Sequence, residues 1–196
     1  MHHLTTTFVL GYHGCDESVA ESLIAGKNFQ NSANEYDWLG AGVYFWESNP
    51  RRGLEFANEA AKRNGSKIKK PAVIGAVIDL GYCLDLLSSA GVDAVAAAYE
   101  SFLKLCEKNE NRLPRNEVGE DLLLRKLDCA VINHLHYVRE ISDLAPFDAV
   151  RGVFLEGQRI YENSGFRSKT HIQLCVRNHE SIKGVFRVPD EHLNAR

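Results

Sequence analysis

Three short stretches of the chain hold residues suited to ligand chemistry: Tyr12-His13-Gly14, Gly40-Ala41-Gly42-Val43-Tyr44-Phe45-Trp46, and Thr170-His171-Ile172-Gln173-Leu174-Cys175-Val176. A histidine at a strand end offers two distinct ring nitrogens beside backbone groups that face the same cavity. Taken alone, such a histidine is more often a structural hydrogen-bonding residue. Two glycines directly before an aromatic cluster suit a strand that a flat group approaches closely. An aromatic ring could stack there; the plainer alternative is that Tyr44, Phe45 and Trp46 are core, which is the reading for Phe45. In the third stretch strand alternation places His171, Gln173 and Cys175 on one face, with Ile172, Leu174 and Val176 on the other. The polar face is expected to line a cleft.

The elements that must position these residues follow from local patterning. Residues 5–13 are rich in threonine and in β-branched and aromatic residues and run into Gly14, which predicts a strand ending at a turn. Ser18 is the expected cap of a helix over 19–25, stopped by Gly26. Residues 42–46 predict a second, buried strand. Ser48 or Asn49 then caps a helix with Pro50 in its first turn and an apolar stripe of Leu54, Phe56, Ala57, Ala60 and Ala61. A further strand is expected over 72–80. Helical patterns over 92–107 and 120–139 predict an inserted helical segment at about 90–140, and strands return at 149–155, 170–176 and 183–188, with 158–168 a loop. Strands with helices inserted, without strict alternation, indicate α+β.

The chain's 196 residues make one domain the default, and 44% hydrophobic with 25% charged residues is the composition of an ordinary globular protein. A formal charge of -3 and a pI near 6.2 give no global basic field, so a nucleic-acid partner would have to be held by a local patch. Arg51, Arg52, Lys62, Arg63, Lys67, Lys69 and Lys70 form one such cluster, and Arg159, Arg167, Lys169 and Arg177 add charge near the third stretch. A solvated helix face explains the first cluster equally well. Five scattered cysteines without a CxxC pair exclude a zinc or dithiol motif and fit reduced thiols in a cytoplasmic protein. His134 and His136 lack the i, i+4 spacing of a helical zinc pair, so no metal is expected. The chain shows no signal-peptide pattern and no apolar run that could cross a bilayer as a helix, so no membrane partner is expected.

The first two stretches, each a strand followed by a helix and in this order, resemble the poly(ADP-ribose) polymerase-like branch of the ADP-ribosyltransferases. That family carries W/Y-H-G on its first conserved strand, matched by Tyr12-His13-Gly14, and G-h-Y-F before a Ser-containing helix, matched by Gly42-Val43-Tyr44-Phe45 and the helix near Ser48. The resemblance touches roughly the first 60 residues and the last 50. It implies a split pair of β-sheets with an NAD cleft between them. It also implies that His13 bonds a ribose hydroxyl of NAD, that the Gly14 backbone pairs with the carboxamide, and that Tyr44 stacks on nicotinamide. Tyr12, Gly42, Ser48 and Phe56 would complete the NAD-binding set, Phe56 as the slot's second wall.

The third family element is a strand glutamate that contacts the nicotinamide ribose, and here the chain departs. The matching strand has none, leaving His171, Gln173, Glu156 or Glu162 for that role. The resemblance therefore implies transfer of a single ADP-ribose from NAD to a macromolecule, either protein or a nucleic acid such as RNA. By analogy with relatives that serve as bacterial toxins or phage-defence effectors, an antitoxin or inhibitor protein is a candidate partner. The missing glutamate also permits a catalytically silent NAD- or ADP-ribose-binding module, and water as acceptor would make an NAD glycohydrolase. An RNA 2'-phosphotransferase, which has a related fold, ranks behind these because it needs paired basic residues that the motifs lack.

Overall fold

The structure is a computed structural model that describes residues 8–118 and 122–194. The first strand, β1 (Phe8–Asp16), runs three residues past the expected end, through Gly14; the start expected at Thr5 lies outside the described residues. Its last residue does two jobs. The Asp16 carboxylate caps α1 (Glu17–Ile24) by accepting the Ser18 amide at 3.0 Å, and it also accepts the Lys69 and Lys70 amides at 2.7 and 2.9 Å. Asp16, not Ser18, is thus the cap, because its carboxylate reaches both the helix end and the chain leading into β3. Gly26, at a φ of +90°, ends α1 as expected.

The aromatic run is β2 (Val43–Glu47), and α2 (Pro50–Ala61) follows with Pro50 in its first turn. The cap of α2 is Asn49, which accepts the Arg52 amide at 3.0 Å. Next come β3 (Pro71–Asp79), β4 (Cys83–Asp85) and the inserted helices α3 (Ser89–Lys108) and α4 (Lys126–Ile141). Between them a small hairpin pairs β5 (Asn116–Glu117), in the expected loop, with β6 (Leu124–Arg125), on residues expected to be helical. The helix starts later because Asn116 Oδ1 accepts the Leu127 and Asp128 amides, 3.0 and 3.3 Å away. The expected start at Glu120 is outside the described residues. The chain closes with β7 (Ala149–Phe154), β8 (His171–Val176), β9 (Ile182–Arg187) and α5 (Asp190–Asn194).

The architecture is α+β. In place of two separate sheets, the strands form one mixed sheet of seven in the order β4-β7-β8-β2-β1-β3-β9, antiparallel except for the β4–β7 pair. Its two halves are joined by a narrow seam. Whereas β1 and β3 pair along nine residues, β1 and β2 pair only at Gly11↔Glu47 and Tyr12↔Trp46. Past that point the strands part. One apolar core, containing Leu23, Phe29, Phe45, Ile74, Ile78 and Leu174, lies under α1. A second, with Leu39, Leu84, Ile132, Leu135, Phe147 and Val150, lies where α3 and α4 cover the β4-β7-β8 half.

Candidate functional site

The cleft opens where the β1–β2 ladder stops. It encloses about 650 Å³, within the range of small-molecule sites, and its lining includes His13 and Gly14 from β1, Gly42 and Tyr44 from the β2 side, and Gln173 from β8. Residues from the two motif stretches meet across the gap: His13 Nδ1 lies 2.9 Å from the Tyr44 carbonyl oxygen. A carbonyl only accepts, so Nδ1 carries the proton and donates. Burial holds the His13 pKa below its ordinary value, which keeps the ring neutral and leaves Nε2 as a lone-pair acceptor. His13 is packed edge-on to Phe29 at 5.5 Å, so its orientation is fixed from both sides.

Tyr44 is pinned by its own upstream loop. Its hydroxyl accepts the Leu39 amide at 3.0 Å and donates to the Gly40 carbonyl at 2.9 Å. Burial drives the phenol's pKa far up, so it stays protonated, and the part of the side chain left for a ligand is the ring. The glycines have a different reason from the one expected. A Cβ on Gly14 would stand 2.1 Å from the Gly53 carbonyl oxygen of α2, and one on Gly42 would stand 2.6 Å from Cys175 Sγ. They admit neighbouring chain segments, and that close packing brings their backbones to the cleft wall.

Of the other expected residues, Phe56 and Glu156 line the cleft, whereas Tyr12, Ser48, His171 and Glu162 are absent from its lining. Phe56 packs on Trp46 with ring centroids 4.8 Å apart. Tyr12 is buried on the α2 side, edge-on to Phe186 at 6.2 Å. Ser48 spends its amide on the Leu10 carbonyl at 2.8 Å, behind the seam. His171 is buried against Trp46 and Phe154, with Nδ1 donating to the Lys169 carbonyl at 2.6 Å. Burial lowers its pKa, and Nε2 is left without a partner. Glu162 is exposed in the loop before β8.

Trp38, Phe154 and Arg52 also help to build the cleft. Trp38, in the loop before β2, donates Nε1–H to Gln173 Oε1 at 2.5 Å and packs on Phe154 at 5.2 Å. Phe154 lines the cleft from the end of β7. Arg52, one of a basic cluster expected either to meet phosphates or to be a solvated helix face, is 5% exposed and lies in the cleft wall. Its Nη2 donates to Glu156 at 2.8 Å, and Nη1 is 3.9 Å from Glu59. Lys169 completes a ring of alternating charge, 2.7 Å from Glu59 and 3.8 Å from Glu156. Trp38 lies in an aperiodic polar and aromatic stretch that reads as a loop, and nothing local marked Arg52 as buried.

Among the described residues no group of three or more histidine, cysteine or acidic side chains is arranged to hold a metal, and no helix is long and apolar enough to cross a membrane. All five cysteines are free, and burial pushes the Cys83 and Cys175 thiols up to about 12. These thiols are poor nucleophiles.

No known protein family matches the sequence, and no solved structure matches the chain. The chain is similar to the uncharacterized protein MJ0359 of Methanocaldococcus jannaschii, at 26% identity over 188 residues that cover 88% of this chain and 83% of that protein.

Proposed function

We propose that this chain is a mono-ADP-ribosyltransferase of the cytoplasm, with the split-sheet cleft of that superfamily, using NAD to attach one ADP-ribose to a macromolecular acceptor. The observation that carries the reading is the meeting of the two motif stretches across the parted strands, with His13 donating to the Tyr44 carbonyl. In this reading His13 Nε2 accepts a ribose hydroxyl, and the Tyr44 ring face takes the nicotinamide. The aromatic walls of Trp38, Trp46, Phe56 and Phe154 exclude water. The C1'–N bond of NAD breaks and its electron pair leaves with nicotinamide, already a cationic leaving group, so positioning supplies much of the catalysis. The acceptor oxygen or nitrogen bonds to C1' and loses its proton.

One observation favours a second reading, a silent NAD-binding module. Of the β8 side chains that could stand for the family's glutamate, Gln173 is the one that lines the cleft, and its oxygen already accepts from Trp38. That reading predicts NAD binding without nicotinamide release. To separate the two, the purified protein is incubated with cell lysate and NAD labelled in the adenylate half, and nicotinamide release is followed in parallel. Transfer of label with release is expected. His13→Ala is expected to slow release about 10- to 100-fold through the lost ribose hydrogen bond. Binding with neither transfer nor release would leave only the silent module, and release without transfer an NAD glycohydrolase. Loss of transferred label on protease or on nuclease treatment identifies the acceptor.

A further inference from the structure

We propose that Glu156, delivered from the end of β7, is the catalytic carboxylate of this cleft, held in place by Arg52. The inference rests on the ADP-ribosyl-transfer reading. The four side chains left open by the sequence are separated by the structure. His171 is enclosed behind Trp46 and Phe154 with its donor spent on Lys169. Gln173 faces the cleft, but its oxygen already accepts from Trp38 and a neutral amide brings no negative charge to a cationic ribose. Glu162 stands exposed outside the lining.

Among the described residues, three carboxylates line the cleft: Asp37, Glu59 and Glu156. Asp37 is committed to its own loop, accepting the Ser32 hydroxyl and the Asn34 amide, each at 2.7 Å. Glu59 is 38% exposed and takes Lys169 Nζ at 2.7 Å. Glu156 is 14% exposed and follows Phe154 by two residues. Phe154 also lines the cleft and pairs in register with His171 of β8. The carboxylate therefore enters from the strand next to the one the family pattern uses, at the same end of the sheet.

Arg52 explains how a carboxylate with little exposure is kept there. Nη2 grips one oxygen of Glu156 at 2.8 Å, while Lys169 is 3.8 Å from the other. The Nε and Nη1 protons of Arg52 are buried with no hydrogen-bond acceptor. A buried guanidinium with unmet donors is costly on its own account, and the ion pair with Glu156 is what holds it in the wall. Arg52 is accordingly a positioning residue, and Glu156 the group that meets the substrate. As the C1'–N bond breaks and nicotinamide takes the electron pair, the negative charge of Glu156 faces the cationic ribose. The proton lost by the attacking acceptor passes to the Glu156 carboxylate, so charge and atoms balance.

The test is nicotinamide release by the full chain, with NAD affinity measured separately through quenching of tryptophan fluorescence. Glu156→Gln is expected to lower kcat about 100- to 1,000-fold while the Kd for NAD changes by no more than about threefold. Glu162→Gln is expected to match the wild type. Release by Glu156→Gln within threefold of the wild type overturns the inference and leaves the function reading intact, as does parallel loss of affinity and rate. Absence of release from the wild type overturns both. Should Glu156→Gln fail to fold, Glu156→Asp keeps the charge but draws it back by one methylene. A kcat fall of tenfold or more at unchanged Kd then supports the inference, and an unchanged kcat overturns it.

Discussion

Strands β2 and β8 present two faces built from alternating residues, and the two faces are different kinds of surface. On one, Val43, Phe45, Leu174 and Val176 are almost wholly buried in the apolar core under α1. On the other, Tyr44, Trp46, His171 and Gln173 face the cleft or its floor. Trp46 Nε1, Arg52 Nε and Nη1, and His171 Nε2 are buried with no hydrogen-bond partner. Trp46 packs against both of the others, with Arg52 6.0 Å from its ring and His171 6.2 Å. The first face is finished by packing. The second retains unmet hydrogen-bonding capacity, which folding alone does not reward and a polar ligand or bound water does.

Substitutions on the two faces should therefore behave differently. Phe45→Ala, which empties the closed face, is expected to destabilise the fold by about 3–5 kcal/mol in chemical denaturation. A loss under about 1 kcal/mol would mean that this face is not the packed side. Acid should act on the buried histidines. Burial, with Arg177 and Arg139 nearby, lowers the His136 pKa to about 3. Because this is below the unfolded value, the unfolded chain binds more protons as the pH falls. Stability is then complete above about pH 6.5 and is lost progressively towards pH 3. Between pH 6.5 and 5 this histidine alone should cost about 2 kcal/mol, and denaturation of His136→Gln across that range should show a flatter decline. An equally steep decline in the variant would place the acid sensitivity on the other buried histidines, His13, His134 and His171. The smallest effect is expected for Trp38→Phe, which keeps the ring and removes the donor to Gln173. A loss of about 1 kcal/mol in thermal unfolding is expected, and no change would show that Gln173 finds another partner at once.

Much of the scaffold was legible because its signals are local. Pro50 in a first turn, Gly26 past a helix end, and the β-branched run before Gly81 act on their immediate neighbours, and the corresponding elements fall within a few residues of expectation. The misjudged details were those decided at a distance. Asp16 displaced Ser18 as a cap because it also collects amides from 53 and 54 residues away. The hairpin before α4 replaced expected helix because Asn116 captures that helix's first amides. In the site, motif order pointed to the meeting of His13 and Tyr44, and strand alternation to the facing of Gln173, but the same alternation put His171 and Cys175 on the cleft face, where both are buried outside the lining. Arg52 was not readable, since a charge on an amphipathic helix reads as solvated unless its partner is known, and Glu156 lies 104 residues further along the chain. Trp38 met Gln173 across 135 residues.

The sequence by itself determined which residues could do chemistry, the α+β class and the in-or-out alternation along each strand, because these depend on side-chain type and a two-residue period. Only the tertiary structure decided that the β1–β2 ladder ends after Tyr12 and Trp46, that His171 lies behind the cleft wall, and that Glu156 comes forward beside Arg52. Those outcomes depend on strand register, on the close approach of Gly14 to Gly53, and on desolvated charge pairs, each requiring distant segments to meet in space.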